Sequence, residues 1–316
     1  MMRVFVYEHL SGAGSAEAGT ELFGAGLAMR DAVVQDLLAA GDLMVSVAAG
    51  HRAPAVPAGA SPVQAQAGTS AVDFVADQAR LHDRVWVIAP ETDGVLGRLQ
   101  RAVGAERWLG CAADAIALAS SKRATLVRAA QHGVLTPLAF ASSRASRRWV
   151  VKPDDGAGAV ATRVHDTLTA ARDDAESRRR RGESATLEAW VAGEPLSLSL
   201  LCSADRTELL SVNRQQLVVH ADGELSFAGV HIAALPRDDA RFATLNAWAQ
   251  TLVRAVAGLC GFVGVDLVWH PQRGPVLIEI NPRVTMAYVG LSAAIGCNLA
   301  QAVLGAHERE PVRAAA

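Results

Sequence analysis

The sequence predicts an α/β fold that opens with a small parallel sheet and continues as an α+β region of hairpins and helices. Three observations carry this. Strand and helix patterns alternate from Arg3 to Ala89, which implies parallel strands with helices on both faces. Beyond residue 115 the strand runs come in pairs joined by turns rich in Gly, Asp and Pro, which implies antiparallel pairing. With 316 residues, 51% of them apolar and 20% charged, the chain can bury a large core in two or three domains.

In order, Arg3–Tyr7 is the opening strand, followed by a loop of small residues, Ser11-Gly12-Ala13-Gly14-Ser15-Ala16. Ala25–Ala40 has helical spacing, with Met29, Val33, Leu37 and Leu38 as its stripe and Gly41 as its stop. Leu43–Ala48 is a second strand, and His51–Ser70 reads as a surface loop. Ala71–Leu81 is a helix, and Arg84–Ala89 a third strand that runs into Pro90-Glu91-Thr92-Asp93-Gly94. Ligands on such sheets sit at the carboxyl ends of strands, which selects the loops 8–16 and 90–94. The dinucleotide fingerprint fails after Gly12-Ala13-Gly14, because position 17 is Glu, and neither lysine stands in a P-loop.

After Leu99–Val103 the pattern changes. Ser120–Ala130 is a serine-capped helix stopped near Gly133. Trp149–Pro153 and Val160–Val164 form a hairpin around Asp154-Asp155-Gly156-Ala157-Gly158-Ala159. That tip is either an ordinary glycine turn or a flap whose backbone N–H groups cover phosphates. Arg172–Glu183, with four consecutive arginines at 178–181, reads as a solvated helix or loop; a polyanion contact is the minority alternative. Thr186–Glu194 runs from strand to turn. Leu196–Cys202, Leu209–Arg214 and Gln216–His220 are extended, with a turn at Asp222-Gly223. Arg241–Leu259 is a helix whose stripe of Phe242, Leu245, Trp248, Leu252 and Val256 is core. Gly264–Trp269 and Val276–Asn281 form a hairpin through His270–Pro275, and a last helix spans about Gly290 to Gly305.

That hairpin bears oxygen donors. Strand alternation puts Glu279 and Asn281 on one face with Leu277, and Ile278 and Ile280 on the other. Pairing brings Asp266 close to them, and three hard oxygen ligands suit Mg²⁺; the plainer alternative is a hairpin with two acids near its exposed ends. Of the 30 basic side chains only Lys122 and Lys152 are not arginine, so each marks a place where a compact ammonium is wanted, unless the residue is incidental.

Composition excludes several classes. A net charge of −2 argues against nucleic-acid binding. The four cysteines have no zinc spacing, and no Ser-His-Asp or Cys-His arrangement stands out. The opening residues read as strand rather than signal peptide, and no apolar run reaches the roughly 20 residues of a membrane span. No membrane partner is therefore expected, and a reduced cytoplasm is the expected location.

Over residues 115–305 the chain resembles the ATP-grasp superfamily. The resemblance rests on Ser121-Lys122, on Val151-Lys152-Pro153 before Asp155-Gly156-Ala157-Gly158, and on Glu188-Ala189-Trp190-Val191 with Gly193-Glu194. It is completed by Gly264-Val265-Asp266 and Glu279-Ile280-Asn281-Pro282-Arg283. One departure is Ser121, where the family often has Asp. The resemblance implies two α+β subdomains clasping ATP behind a small Rossmann-like pre-ATP-grasp domain. It implies a division into 1–114 (pre-ATP-grasp), 115–187 (lid with flap) and 188–316 (C-terminal subdomain with the metal site). Lys122 and Lys152 would neutralise ATP phosphates under the 155–159 flap, comprising Asp155, Gly156, Ala157 and Gly158. Glu188 and the backbone of Trp190 and Val191 would meet adenine, and Glu194 the ribose. Asp266, Glu279 and Asn281 would hold one or two Mg²⁺ ions, or Mn²⁺. Arg283 would stabilise an acyl phosphate, or else form a structural ion pair.

Shorter matches resemble the tyramine–glutamate ligase family of methanofuran and methylofuran biosynthesis. They are Val6–Gly14, Ala89–Gly94, Ser211-Val212-Asn213-Arg214-Gln215 and Asn281–Gly290. This implies that the γ-carboxylate of L-glutamate is activated by ATP and captured by tyramine or a related aromatic amine or amino acid such as tyrosine. Lys152, Arg214 and Arg283 would then act in catalysis, while Glu8, His9 and Glu91 face the acceptor. The alternatives are another amino-acid or dipeptide ligase of the same fold, or an ATP-binding regulatory subunit without catalysis. A homodimer is compatible with either.

Overall fold

The computed structural model describes residues 1–12, 21–51, 53–141, 147–156 and 158–308. The expected small-residue loop beyond Gly12 and the flap residue Ala157 lie outside these. The first sheet contains β1 (Met2–Glu8), β2 (Leu43–Ala48), β3 (Ser61–Val63), β4 (Arg84–Ile88) and β5 (Trp108–Leu109). Its order is β3-β2-β1-β4-β5, with every pairing parallel. Val4, Phe5, Val6 and Tyr7 of β1 are all fully buried, as a central strand covered on both faces requires. The connections carry a short turn α1 (His9–Gly12) and the helices α2 (Glu21–Ala39), α3 (Ala71–Leu81) and α4 (Val95–Val103). The expected loop at 51–70 therefore contains a strand; Pro62 is tolerated there because β3 is an edge.

Two helices, α5 (Ala113–Ala119) and α6 (Lys122–Gln131), lead into a three-stranded antiparallel sheet. It is built from β6 (Trp149–Pro153), β7 (Arg163–His165) and β8 (Ala185–Ala189), with α7 (Leu168–Arg180) packed beside it. The partner strand begins at Arg163 rather than Val160, because Ala159 and Ala161 take left-handed backbone (φ 61° and 54°). β8 also runs through the expected boundary at 187/188. The arginine run is not uniformly solvated. Arg178 is buried and donates to Asp174 (2.9 Å) and to the Ala161 carbonyl (2.6 Å). Arg179 and Arg180 pair with Glu176 and Arg181 with Glu183, so the run is charge-matched.

The third sheet is antiparallel, in the order β11-β10-β9-β12-β13. Its strands are β9 (Glu194–Cys202), β10 (Thr207–Val219), β11 (Leu225–Leu235), β12 (Gly261–His270) and β13 (Gly274–Asn281). The two extended pieces expected at 209–220 are one bulged strand. Helix α8 (Ala240–Ala255) covers one face, where Leu196, Leu198, Leu200, Val265 and Leu267 join its Leu245 and Leu252 in one core. It stops before Leu259 because Val256 leaves helical backbone ahead of Gly258 (φ 86°). The expected C-terminal helix is two, α9 (Leu291–Ile295) and α10 (Leu299–Glu308), broken at Gly296. Between β10 and β11 the hairpin tip reaches β7 of the second sheet. Val164 N–H donates to Gly223 O (2.8 Å) and Leu225 N–H to Thr162 O (2.9 Å). A Cβ on Gly223 would stand 2.4 Å from Val164 O, so only glycine fits this approach. Among the described residues no helix is long and apolar enough to cross a membrane.

Candidate active site

The face of the third sheet opposite α8 carries the oxygen donors. β12 and β13 pair in the register Asp266↔Glu279 and Gly264↔Asn281, so the hairpin brings all three donors together. The next pair is Leu267↔Leu277, which leaves Ile278 as the extra residue of a bulge. The bulge resets the alternation: Leu277 joins Ile280 in the core instead of sharing the face of Glu279, correcting the expectation from uniform pleating. Asn281 Nδ2 donates to Asp266 Oδ2 (3.3 Å), and Gln215 Nε2 to Asp266 Oδ1 (2.9 Å).

The electrostatics of the pair are uneven. Packed protein and the neighbouring Glu279 push the Asp266 carboxyl well above the usual range. The same packing opposes ionisation of Glu279, but Lys122 and then Lys152 hold it below its ordinary value. Two carboxylates close enough to influence each other's protons, beside an amide oxygen, fit a hard divalent cation. Among the described residues no three His, Cys, Asp or Glu side chains form a metal cluster; this set counts two carboxylates and one amide.

Both lysines enter the same cleft. Lys122 opens α6, where the Ser121 hydroxyl caps the helix by accepting from Ala124 N–H (3.1 Å) and donates to Asp154 Oδ2 (2.7 Å). Asp154 Oδ1 also accepts from Arg123 N–H (2.9 Å), so an acid from the flap strand occupies the helix start where the family often has Asp in place of Ser121. Lys122 Nζ lies 3.6 Å from Glu279 Oε2 and donates to Gly156 O (3.0 Å). On β6, Lys152 pairs with Glu188 Oε2 of β8 at 3.0 Å, both side chains buried. Glu188 Oε1 and Thr186 Oγ1, on the same face of β8, are buried without a hydrogen-bond partner among the described residues. At the adjoining turn, Trp190 N–H donates to Arg148 O (2.9 Å), so that donor is already committed. Val191 beside it is buried. Asp155 Oδ2 accepts from Asp93 N–H (2.8 Å), which docks the flap on the N-terminal domain; Gly156 and Gly158 follow in left-handed backbone.

Arg283 follows β13 and makes a buried two-pronged pair with Glu91, Nε–Oε1 2.9 Å and Nη2–Oε2 3.0 Å. Glu8, at the end of β1, accepts from the N–H groups of Leu10 (3.1 Å) and Ser11 (2.7 Å), and His9 Nδ1 stands 3.3 Å from the Tyr7 hydroxyl.

Two expected site residues stand elsewhere. Glu194 shares a strand face with Leu196 and Leu198, and its oxygens meet Arg214 Nε and Arg241 Nη1 of α8, each at 2.7 Å. Arg214 therefore faces away from its neighbour Gln215, which reaches Asp266. Strand alternation places Glu194 and Arg214 on the α8 side, so a ribose contact and a reacting-phosphoryl contact are both withdrawn.

Three residues were missed. Asn213, fully buried, accepts from Ser211 Oγ (2.9 Å) and Ala233 N–H (3.0 Å) and donates to Ser199 Oγ (3.1 Å). With Ser211 and Gln215 it lines the cleft face of β10; the polar residues at 211, 213 and 215 were the available signal.

The ATP-grasp domain family matches residues 119–287, and the pre ATP-grasp 3 domain matches residues 43–116. No curated protein matches in sequence. Among solved structures, an ATP-grasp superfamily protein from Archaeoglobus fulgidus superposes with a TM-score of 0.71 at 22% identity, over 96% of this chain and 88% of that one. The VanG D-Ala:D-Ser ligase from Enterococcus faecalis gives 0.68 at 14%, over 97% and 99%. An L-amino acid ligase from Bacillus licheniformis gives 0.66 at 18%, over 98% and 74%.

Proposed function

Because the chain belongs to the ATP-grasp family, we propose that it is an ATP-dependent carboxylate–amine ligase. The observation that carries this is the convergence of its only two lysines with Asp266, Glu279 and Asn281 in one cleft. In the first step a substrate carboxylate oxygen attacks the γ-phosphorus of ATP, the bond to the ADP oxygen breaks, and an acyl phosphate forms. An amine nitrogen then attacks the acyl carbon, phosphate leaves with the carbon–oxygen bonding pair, and the nitrogen loses a proton to give the amide. No side-chain nucleophile is needed. Lys122 and Lys152 set positive charge against the phosphate oxygens, and the backbone of Gly156 and Gly158 stands beside them to cover the phosphates. Asp266, Glu279 and Asn281 would hold Mg²⁺, which would offset the negative charge on the phosphate oxygens. Glu188, with one buried oxygen that has no partner among the described residues, is suited to accept from an adenine amino group.

The finer reading rests on the sequence resemblance: L-glutamate is the carboxylate donor and tyramine, or an aromatic amino acid such as tyrosine, the acceptor. The likeness to the D-Ala:D-Ser and L-amino acid ligases supports the rival reading of an amino-acid or dipeptide ligase. Intact lysines and acids count against a subunit without catalysis. ADP release with Mg-ATP separates these readings. Turnover that requires glutamate together with an aryl-ethylamine or aromatic amino acid supports the first. Turnover only with pairs of other amino acids supports the second, and no ADP release with any pair removes the ligase reading.

A further inference from the structure

One short loop of the N-terminal domain grips two separate parts of the cleft. Glu91 lies just beyond β4, and its carboxylate takes Arg283 through two parallel hydrogen bonds of 2.9 and 3.0 Å. Arg283 Nη1 donates to Val284 O (3.1 Å), and Nη2 stands 3.5 Å from Asn281 Oδ1, one of the three oxygen donors. The side chains are 9% and 4% exposed. Two residues further on, Asp93 N–H donates to Asp155 Oδ2 (2.8 Å) at the root of the flap. Two elements distant in sequence thus meet on residues 91–93.

A two-pronged pair fixes the plane of a guanidinium as well as its position, which a single contact to an ammonium cannot do. Exchanging a buried ion pair for apolar residues is often neutral in stability, so the pair is poorly explained as a stability device. Placement explains it better, because phosphoryl transfer depends on positive charge held in advance at the reacting oxygens. The Glu91 carboxylate cannot itself serve a phosphate, since like charges repel. Its use is to aim Arg283.

We propose that Glu91 is a positioning residue for the ligase reaction, orienting Arg283 beside Asn281 so that the guanidinium meets the oxygens of the acyl phosphate. The same loop, through Asp93 and Asp155, seats the flap, so phosphoryl transfer is coupled to docking of the N-terminal domain. This rests on the ligase reading above.

The test compares Glu91→Gln and Glu91→Asp in the full chain. Turnover is measured alongside binding of Mg-ADP alone and of Mg-ADP with aluminium fluoride, a mimic of the transferring phosphoryl group. Glu91→Gln should lower kcat by about 10²-fold and leave KM for ATP unchanged. It should bind Mg-ADP normally but lose the tightening that aluminium fluoride gives the wild type. Glu91→Asp, which keeps the charge on a shorter arm, should fall between the two. A merely structural role would lower thermal stability and spare both kcat and the tightening in folded protein; that result overturns the proposal. Should Glu91→Gln not fold, Glu91→Asp decides: wild-type kcat and full tightening in that variant overturn it. A wild-type chain that binds no Mg-ADP overturns the ligase reading and this inference together. A wild-type chain that tightens on aluminium fluoride equally with its Glu91 variants overturns this inference alone.

Discussion

The two faces of the third sheet carry ionic clusters of similar size and opposite character. On the α8 side, Glu194 lies between Arg214 and Arg241 at 2.7 Å each, and Asp239 meets Arg241 at 2.8 Å. Arginine hydrogen bonds overcome the burial that opposes its charge and keep Glu194 below its ordinary value; Arg241 brings Asp239 to about 2. On the cleft side, Asp266 is pushed well above its usual range and Lys122 stands 3.6 Å from Glu279, while on β8 of the second sheet, beside Lys152, Glu188 Oε1 is buried without a partner among the described residues. The first cluster is complete in itself: every acid has a matched donor and each pKa shift favours the ionised pair. The second retains mismatched protonation and an unserved oxygen, which folded proteins rarely keep without a functional reason. The difference teaches that a cluster of charges does not by itself identify a site; incomplete pairing does.

That contrast can be broken most forcefully at Glu279. Replacing it with Ala removes the carboxylate that both lysines influence and should lower Mg-ATP-dependent turnover by about 10²–10³-fold while the chain stays folded. The check is ADP release beside a thermal melt; wild-type turnover in a folded Glu279→Ala protein would remove this residue from the site. A smaller loss, about 10-fold or more, is expected from Lys152→Arg, because the planar fork cannot replace a compact ammonium against Glu188. Equal kcat and ATP affinity in that variant would show that the rarity of lysine in this chain has no bearing on phosphate.

Much of this was legible in the sequence. The strand–helix alternation gave the parallel sheet, and the 264–281 hairpin gave the register that joins Asp266 to Glu279. Lys122 and Lys152 stood out because the chain otherwise uses arginine. What stayed hidden has physical causes. A bulge is an insertion of one residue with no compositional mark, so the turn of Leu277 into the core could not be read. Glu194 and Arg214 belong to motifs that carry the family resemblances, but which strand face they take is set by packing against α8. Glu91 and Arg283 are separated by 192 residues, and no local pattern announces a pair formed across domains. Asn213 was within reach, since polar residues alternate at 211, 213 and 215, but a fully buried asparagine is recognised only once its neighbours are placed.

The mildest prediction concerns the α8 side. Arg241→Ala removes the guanidinium shared by Asp239 and Glu194 and the cation over the Trp269 ring at 6.0 Å, yet touches nothing in the cleft. The expected cost in stability is small, since these side chains are partly exposed, with turnover unchanged. Acid titration adds a signature. Asp239 has a folded pKa depressed from 3.8 to about 2, so its contribution is present above the unfolded value and is lost as pH falls through the folded one. Without Arg241 that depression shrinks, because Arg241 is its leading cause. The variant should therefore lose stability less steeply than the wild type between pH 3.8 and about 2, as followed by denaturant midpoints at fixed ionic strength. Identical slopes would show that Asp239 draws its acidity from elsewhere, while altered turnover at neutral pH would show that the two faces are coupled after all.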